Sequence, residues 1–206
     1  MGKKWLDTVY QEKNSTRLKK HYRDWASEYD KDLNAWGYAY PRELKKILID
    51  KIRINKNAKI LDAGCGTGYV AETLKDLNFS NIVGLDYSQD MLNVAKKKKI
   101  YKRLIKQSLN KKTNLRSNQF NAVLCTGVLT SGHVGPVAIK ELIRLTKKKD
   151  YLILSISESI YEKFGFRKEI EKRANEISKI FISKPFIALP NHKSSARSRM
   201  YLFQRI

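Results

Sequence analysis

The stretch "KILDAGCGTGYVAETL", Lys59 to Leu74, constrains the fold more than any other part of the chain. An apolar run meets Gly64, Gly66 and Gly68 at alternate positions, and a helix-like pattern takes over directly after them. The run reads as a buried strand, and the glycines remove the side chains that keep a ligand away from the backbone. Strand, glycine turn and helix begin a doubly wound unit, in which ligands sit at the carboxyl ends of the strands. A phosphate loop needs Lys and then Ser or Thr after the last glycine, whereas Tyr69 and Val70 stand here, which argues against nucleotide hydrolysis. A dinucleotide fold spaces its glycines GxGxxG; this chain has GxGxG, with Asp62 just before it.

The same alternation continues. "NIVGLDYS" reads as a strand, "SQDMLNVAKKK" as a helix opened by Ser88 with an acidic first turn, and "KRLIKQS" as a third strand. "FNAVLCTG" is a fourth strand, "GPVAIKELIRLTK" a helix and "DYLILSIS" a fifth strand. Short strands alternating with helices predict an α/β fold, a mostly parallel sheet covered on both faces. Upstream, Trp25, Tyr29 and Leu33 fall four apart, then Leu44, Ile47, Leu48 and Ile52 follow Pro41, so two helices joined by "WGYAYP" are expected between Ser15 and Ile54. Downstream, Glu158 to Ser178 reads as helical, and "KIFISKPFIAL" and "RSRMYLFQRI" as two strands pairing antiparallel at the sheet edge. The lysine runs 96–99 and 147–149 suit helix ends.

At 206 residues one domain is expected, residues 1–55 forming a helical N-terminal lid and 56–206 the core. Lys and Arg number 42 against 20 Asp and Glu, a formal net charge of +22. Such charge attracts nucleic acid or another polyanion; the excess is mostly Lys spread along the chain, which favours a solvated surface over a binding groove. Cys65 and Cys125 form no CxxC pair and have no histidine at zinc spacing, which predicts no metal and a reducing, cytoplasmic setting. The longest apolar runs, such as "YLILSI", are too short to cross a bilayer, so no membrane partner is expected.

Asp86 ends the second strand, eighteen residues beyond Gly68, where a carboxylate can accept from both hydroxyls of a ribose. Together "LDAGCGTG" and "VGLDYS" resemble the first motif and acidic second-strand end of the class I S-adenosylmethionine-dependent methyltransferases. "SEYDKDLNAWGYAYP", "LCTGVLTSGHVGP" and "KELIRLTK" are also similar, within that family, to the methyltransferase-like protein of the Williams–Beuren syndrome region and its bacterial relatives. The resemblance implies a Rossmann-like, doubly wound, mostly parallel seven-stranded sheet with an antiparallel C-terminal edge strand. It implies S-adenosyl-L-methionine as cofactor, with Asp62 and the backbone at Gly64, Gly66 and Gly68 on the methionine part and Asp86 on the ribose. Tyr87 and Met91 then flank the adenine, with Cys65, Leu109, Thr126 and Gly127 beside the cofactor. Many such enzymes carry an Asp after the third strand to accept from the adenine amino group; Ser108 stands there in this chain, an acceptor without charge.

Methyl transfer from a sulfonium is an in-line displacement, so positioning in a dry pocket supplies much of the acceleration. A base helps only where the acceptor must lose a proton, and His133 in "TGVLTSGHVGP" is the catalytic candidate; the alternative is a histidine bonded within its loop. Tyr29, Trp36, Tyr38 and Tyr40 lie in the lid segment, Tyr29 being either a lid contact over the cofactor or core, and Trp25 core. His21 and His192 fall outside any motif and read as surface groups. The expected activity is methyl transfer to a small-molecule acceptor by a monomer or weak dimer. A non-catalytic cofactor-binding module and an RNA or protein methyltransferase using the basic surface are the alternatives. Against RNA, "CTGV" replaces the Pro-bearing tetrapeptide of many base-amine methyltransferases.

Overall fold

The computed structural model describes residues 25–26, 28–130, 134–193 and 196–206. Its sheet is built around four strands in parallel: β1 (Ile60–Ala63), β2 (Ile82–Asp86), β3 (Arg103–Lys106) and β4 (Phe120–Leu129). β5 (Thr146–Ser157) pairs parallel to β4. The order is β3-β2-β1-β4-β5-β8-β6, so the order of succession across the sheet reverses between β1 and the central β4. Three of the four crossovers carry a helix: α3 (Ala71–Asp76), α4 (Gln89–Lys97) and α5 (Val137–Leu145) follow β1, β2 and β4, and residues 107–119 join β3 to β4 without one. α4 is opened by Ser88, whose hydroxyl accepts from the Met91 N–H at 3.3 Å.

Two apolar layers divide the strand residues by alternation. Leu61, Ala63, Leu85, Val123 and Leu154 face one core, with Ile139, Leu142 and Ile143 of α5 against them. Ile60, Ile82, Ala122, Leu124 and Ile153 face the other, covered by Leu74 of α3 and by Leu44, Ile47 and Leu48 of α2 (Tyr40–Asp50). Burial on both faces is what turns β1 and β2 into continuous apolar runs, and each such side chain contributes about 1.5–3 kcal/mol.

The C-terminal half departs from expectation in three places. The segment expected as one helix is split into α6 (Glu158–Tyr161) and α7 (Phe166–Lys172), because Gly165 adopts φ 82°, a left-handed conformation that breaks the helix. Lys147 to Lys149 begin β5 instead of ending α5: the Thr146 hydroxyl caps Leu142 at 2.8 Å and its backbone is already extended, so helix passes into strand without a loop. The sheet has eight strands, not seven, since the two-residue β7 (Phe186–Ile187) also pairs with β8 (Arg197–Arg205). β8 runs antiparallel between β5 and β6 (Ile177–Ile182), leaving β6 at the edge. Met200 to Phe203 are buried throughout, as an interior strand requires, whereas Ser178, Lys179 and Ile180 of β6 are exposed.

The N-terminal segment packs over the strand ends. α1 (Tyr29–Ala35) sets Leu33 against Trp25, Trp36 and Leu189, and Tyr29, Tyr38 and Tyr69 pack on that cluster. The β7–β8 connection pins it: Ala39 N–H donates to Ala188 O at 3.0 Å and Asn191 N–H to Trp36 O at 3.1 Å. His192 is buried here with its ring edge-on to Trp36 at 4.7 Å, and so is not the surface group its sequence context suggests. No helix among the described residues is long and apolar enough to cross a membrane.

Candidate functional site

The glycine turn leaves β1 and crosses directly over the end of β2. Gly64 N–H and Cys65 N–H both donate to Leu85 O, at 2.7 and 3.0 Å, and Gly66 N–H donates to Asp86 Oδ2 at 2.9 Å. The turn closes with Gly68 N–H on Cys65 O at 2.8 Å. Gly64 has φ 80° and a Cβ there would overlap Val128 of β4. Gly66 has φ 53°, yet a Cβ there would meet nothing within 4 Å. One glycine is required by packing; the other borders open space.

Two carboxylates stand beneath this turn. Asp86 is buried, its Oδ1 accepting from Ser88 N–H at 2.8 Å and its Oδ2 from Gly66 N–H, so each oxygen keeps acceptor capacity. Asp62, on β1, is 2% exposed and accepts from the Tyr101 hydroxyl at 2.7 Å. Burial pushes the Asp62 carboxyl up to about 6; the Tyr101 bond opposes that shift and the nearby Asp86 charge adds to it. Burial raises Asp86 as well, against the N–H bonds that hold it down. The same burial, reinforced by Asp62 and Asp86, drives the Cys65 thiol upward, so it stays protonated.

Most expected site residues gather here. Met91 opens α4 beside Asp86, and Tyr87 follows Asp86 directly. Gln107 N–H donates to Asp86 O at 2.9 Å, which sets Ser108 and the buried Leu109 at the same strand end. The Ser108 hydroxyl accepts from Asn110 N–H at 3.2 Å. On the other side Asp62 is in register with Leu124, so Thr126 and Gly127 follow at the end of β4. Gly127 N–H donates to Ser155 Oγ at 2.7 Å, and a Cβ on Gly127 would overlap the Tyr38 hydroxyl. The Thr126 hydroxyl is buried with no hydrogen-bond partner among the described residues. Tyr29 packs edge-on to Trp25 at 4.6 Å within the cluster that includes Tyr69 of the turn. His133 and His21 lie outside the described residues.

Three participants escape sequence reasoning. Tyr101, just before β3, fills the space beside Gly68 and Gly84 and reaches Asp62; the readable signal was an aromatic side chain two positions before a strand that pairs beside a glycine. Asp30 of α1 accepts from the Thr67 hydroxyl and pairs with Lys98 at 2.6 Å, while Lys98 also pairs with Glu72 of α3 at 2.9 Å. Burial pulls the Lys98 ammonium down, but the bonds to Asp30 and Glu72 outweigh it and hold the group above the ordinary lysine value. α1, the glycine turn, α3 and the end of α4 therefore meet at one ion cluster.

A family model described as a methyltransferase domain matches residues 61–154, from β1 into β5. Human methyltransferase-like protein 27 is 38% identical over 128 residues, 60% of this chain and 52% of that protein. The malonyl-[acyl-carrier protein] O-methyltransferase of Bacillus anthracis is 34% identical over 84 residues, 40% of this chain and 31% of that protein. The chain thus spans about half or less of the length of these relatives. A solved SAM-dependent methyltransferase of Thermotoga maritima shares the fold, with TM-score 0.61, 19% identity, and 89% of this chain and 96% of that one covered. Sheet order, glycine turn, paired strand-end carboxylates and these similarities agree: residues 61–154 match a methyltransferase domain, and the chain shares the fold of solved S-adenosylmethionine-dependent methyltransferases.

Proposed function

We propose that this chain binds S-adenosyl-L-methionine across the ends of β1, β2 and β4 and transfers its methyl group to a small-molecule acceptor beneath the N-terminal helices. The observation that carries the reading is the pairing of Asp86 with an open Gly66. The carboxylate accepts from the N–H of this bare backbone and from Ser88 N–H, and a carboxylate with about four acceptor positions has capacity beyond those bonds. A ribose fits that acceptor pair, each charge-assisted bond contributing on the order of 1.5–3 kcal/mol. Asp62 and the backbone at Gly64 and Gly68 would hold the methionine part, Cys65 packing beside it. Tyr87, Met91, Ser108 and Leu109 would border the adenine, and Thr126 and Gly127 the reactive end.

When bound, S-adenosylmethionine supplies an electrophilic methyl group on a sulfonium. The chain's own part is to orient and to exclude water. Tyr38 presses its hydroxyl onto Gly127 and packs edge-on to Tyr69 at 5.7 Å, so aromatic surface covers the end of β4. A covered end suits an acceptor of small size and raises the effective strength of local electrostatics. His133, a few residues beyond β4 in sequence, is assigned to take a proton from the acceptor.

The test is S-adenosylhomocysteine formation when the protein is offered low-molecular-weight and macromolecular fractions of a cell extract in turn. Turnover with the small fraction, lost on His133→Ala while cofactor affinity is kept, supports the reading. Turnover with the macromolecular fraction alone contradicts the small acceptor, and unchanged turnover in His133→Ala removes the base.

A further inference from the structure

Among the described residues, cations outside any ion pair occur across the folded chain, and several of them converge in two grooves. Across much of the surface, arginines are matched with acids: Arg144 with Glu141 at 2.6 Å, Arg167 with Glu162 and Glu171 at 2.9 Å, Arg199 with Glu158 at 2.9 Å. At the β3 edge of the sheet cations converge in grooves. Lys96, Lys99, Lys102, Arg103 and Lys106 line a groove of about 490 Å³ between α4 and β3. A second groove, of about 330 Å³, lies along the same strand and is lined by Lys59, Arg103 and Arg116. Arg103 belongs to both, and neither lining includes a carboxylate. Among the described residues no ion pair engages any of these seven cations.

Lysines on an exposed edge strand deter edge-to-edge pairing, and that would explain Arg103 and Lys106. It does not explain Lys96 and Lys99, which stand at the end of α4, or Lys59 and Arg116, which lie outside the strand. Amide side chains lie between the cations: Gln89 and Asn93 in the larger groove, Gln107, Asn114 and Gln119 in the smaller. Amides offer donors and acceptors to sugars and base edges, while the cations meet phosphates. Each groove has the size of a small-ligand pocket, about 300–1,000 Å³, which suits a nucleotide at a time and not a duplex.

We propose that the two grooves, which lie on opposite faces of the β3 edge and share Arg103, form one site for a single-stranded nucleic acid that wraps this edge and is held by its phosphates. Binding is driven by release of counterions from the strand. Tyr101 lines the larger groove and bonds Asp62 through its hydroxyl, so groove and glycine-turn site lie back to back around one ring. The covered end of β4 lies across β1 and β2 from this edge, so the strand is a partner distinct from the small acceptor proposed above.

The experiment is fluorescence anisotropy of a labelled oligouridine of about 20 nucleotides with the full chain, between about 50 and 200 mM salt. Seven contacts at about 0.7 each predict a slope of log affinity against log salt near −5. The combined variant Lys99→Glu, Arg103→Glu, Lys106→Glu is expected to bind at least about 30-fold more weakly, with the slope reduced by about 2. The control Lys163→Glu, Lys168→Glu, Lys172→Glu changes the net charge equally at exposed positions around α7 and is expected to lose less than about threefold. Equal losses in both variants would reduce the effect to net charge and overturn the site. So would absence of binding by the unmodified chain at about 0.1 M salt. Displacement of the strand by polyglutamate as effectively as by unlabelled oligouridine would assign the grooves to an acidic protein instead.

Discussion

Tyr101 donates its hydroxyl proton to Asp62 Oδ2 over 2.7 Å, from 39 residues further along the chain. It is one bond holding a buried carboxylate below the glycine turn. Because burial raises the Asp62 carboxyl from 3.8 to about 6, the folded chain binds this proton more tightly than the unfolded chain does. The contribution of Asp62 to stability therefore falls as pH rises from about 4 to about 6 and is level above that, a penalty of about 3 kcal/mol at neutral pH. Asp62→Asn keeps an acceptor for Tyr101 and removes the charge. Urea unfolding is expected to show the variant more stable by up to about 3 kcal/mol near pH 7.5, the gap closing towards pH 4. A gap that stays constant with pH assigns the titration to another group.

The glycine turn separates two roles that a single substitution can tell apart. Gly64→Ala forces a side chain into Val128 at φ 80° and is expected to cost about 3 kcal/mol of stability. Gly66→Ala enters open space and carries only left-handed strain, about 1–2 kcal/mol. The second variant is expected to remain folded while binding S-adenosylmethionine at least about tenfold more weakly, a loss of about 1.4 kcal/mol. Thermal melts and calorimetric titration check both halves. Normal cofactor affinity in Gly66→Ala means that the ligand does not run beside that backbone.

Asp30 ties α1 to the turn through Thr67 and to α4 through Lys98. Asp30→Ala leaves Lys98 with Glu72 alone and removes the acceptor for Thr67. Local opening of α1, read by amide hydrogen exchange, is expected to rise roughly fivefold, about 1 kcal/mol, with little change in β1 or β4. Uniform loss of protection across the sheet contradicts separate opening of α1.

Legibility in the sequence followed the range of each interaction. β1, β2, β4 and the inner part of β5 were readable because strands buried on both faces must be apolar, and the glycine spacing and Asp86 lie within a single strand-turn-helix-strand unit. The Ser88 cap was readable for the same local reason. The run Lys147–Lys149 was misplaced because a helix end and an exposed strand start both tolerate cations, and Thr146 alone decides between them. The inner position of β8 needed both faces of Met200 to Phe203 to be read together. Tyr101 to Asp62 and Asp30 to Thr67 join residues 39 and 37 apart that only the folded sheet brings within reach. His192 looked like a surface group because nothing near it in sequence announces Trp36.

The most direct test of the cofactor site is calorimetric titration of the protein and of Asp86→Ala with S-adenosylmethionine, S-adenosylhomocysteine and NAD. The account predicts micromolar binding of the first two only, about −8 kcal/mol, weakened at least about tenfold in Asp86→Ala because a charge-assisted bond is lost. Binding of NAD instead, or undiminished affinity in a folded Asp86→Ala, would contradict a ribose held by Asp86 across the open backbone of Gly66.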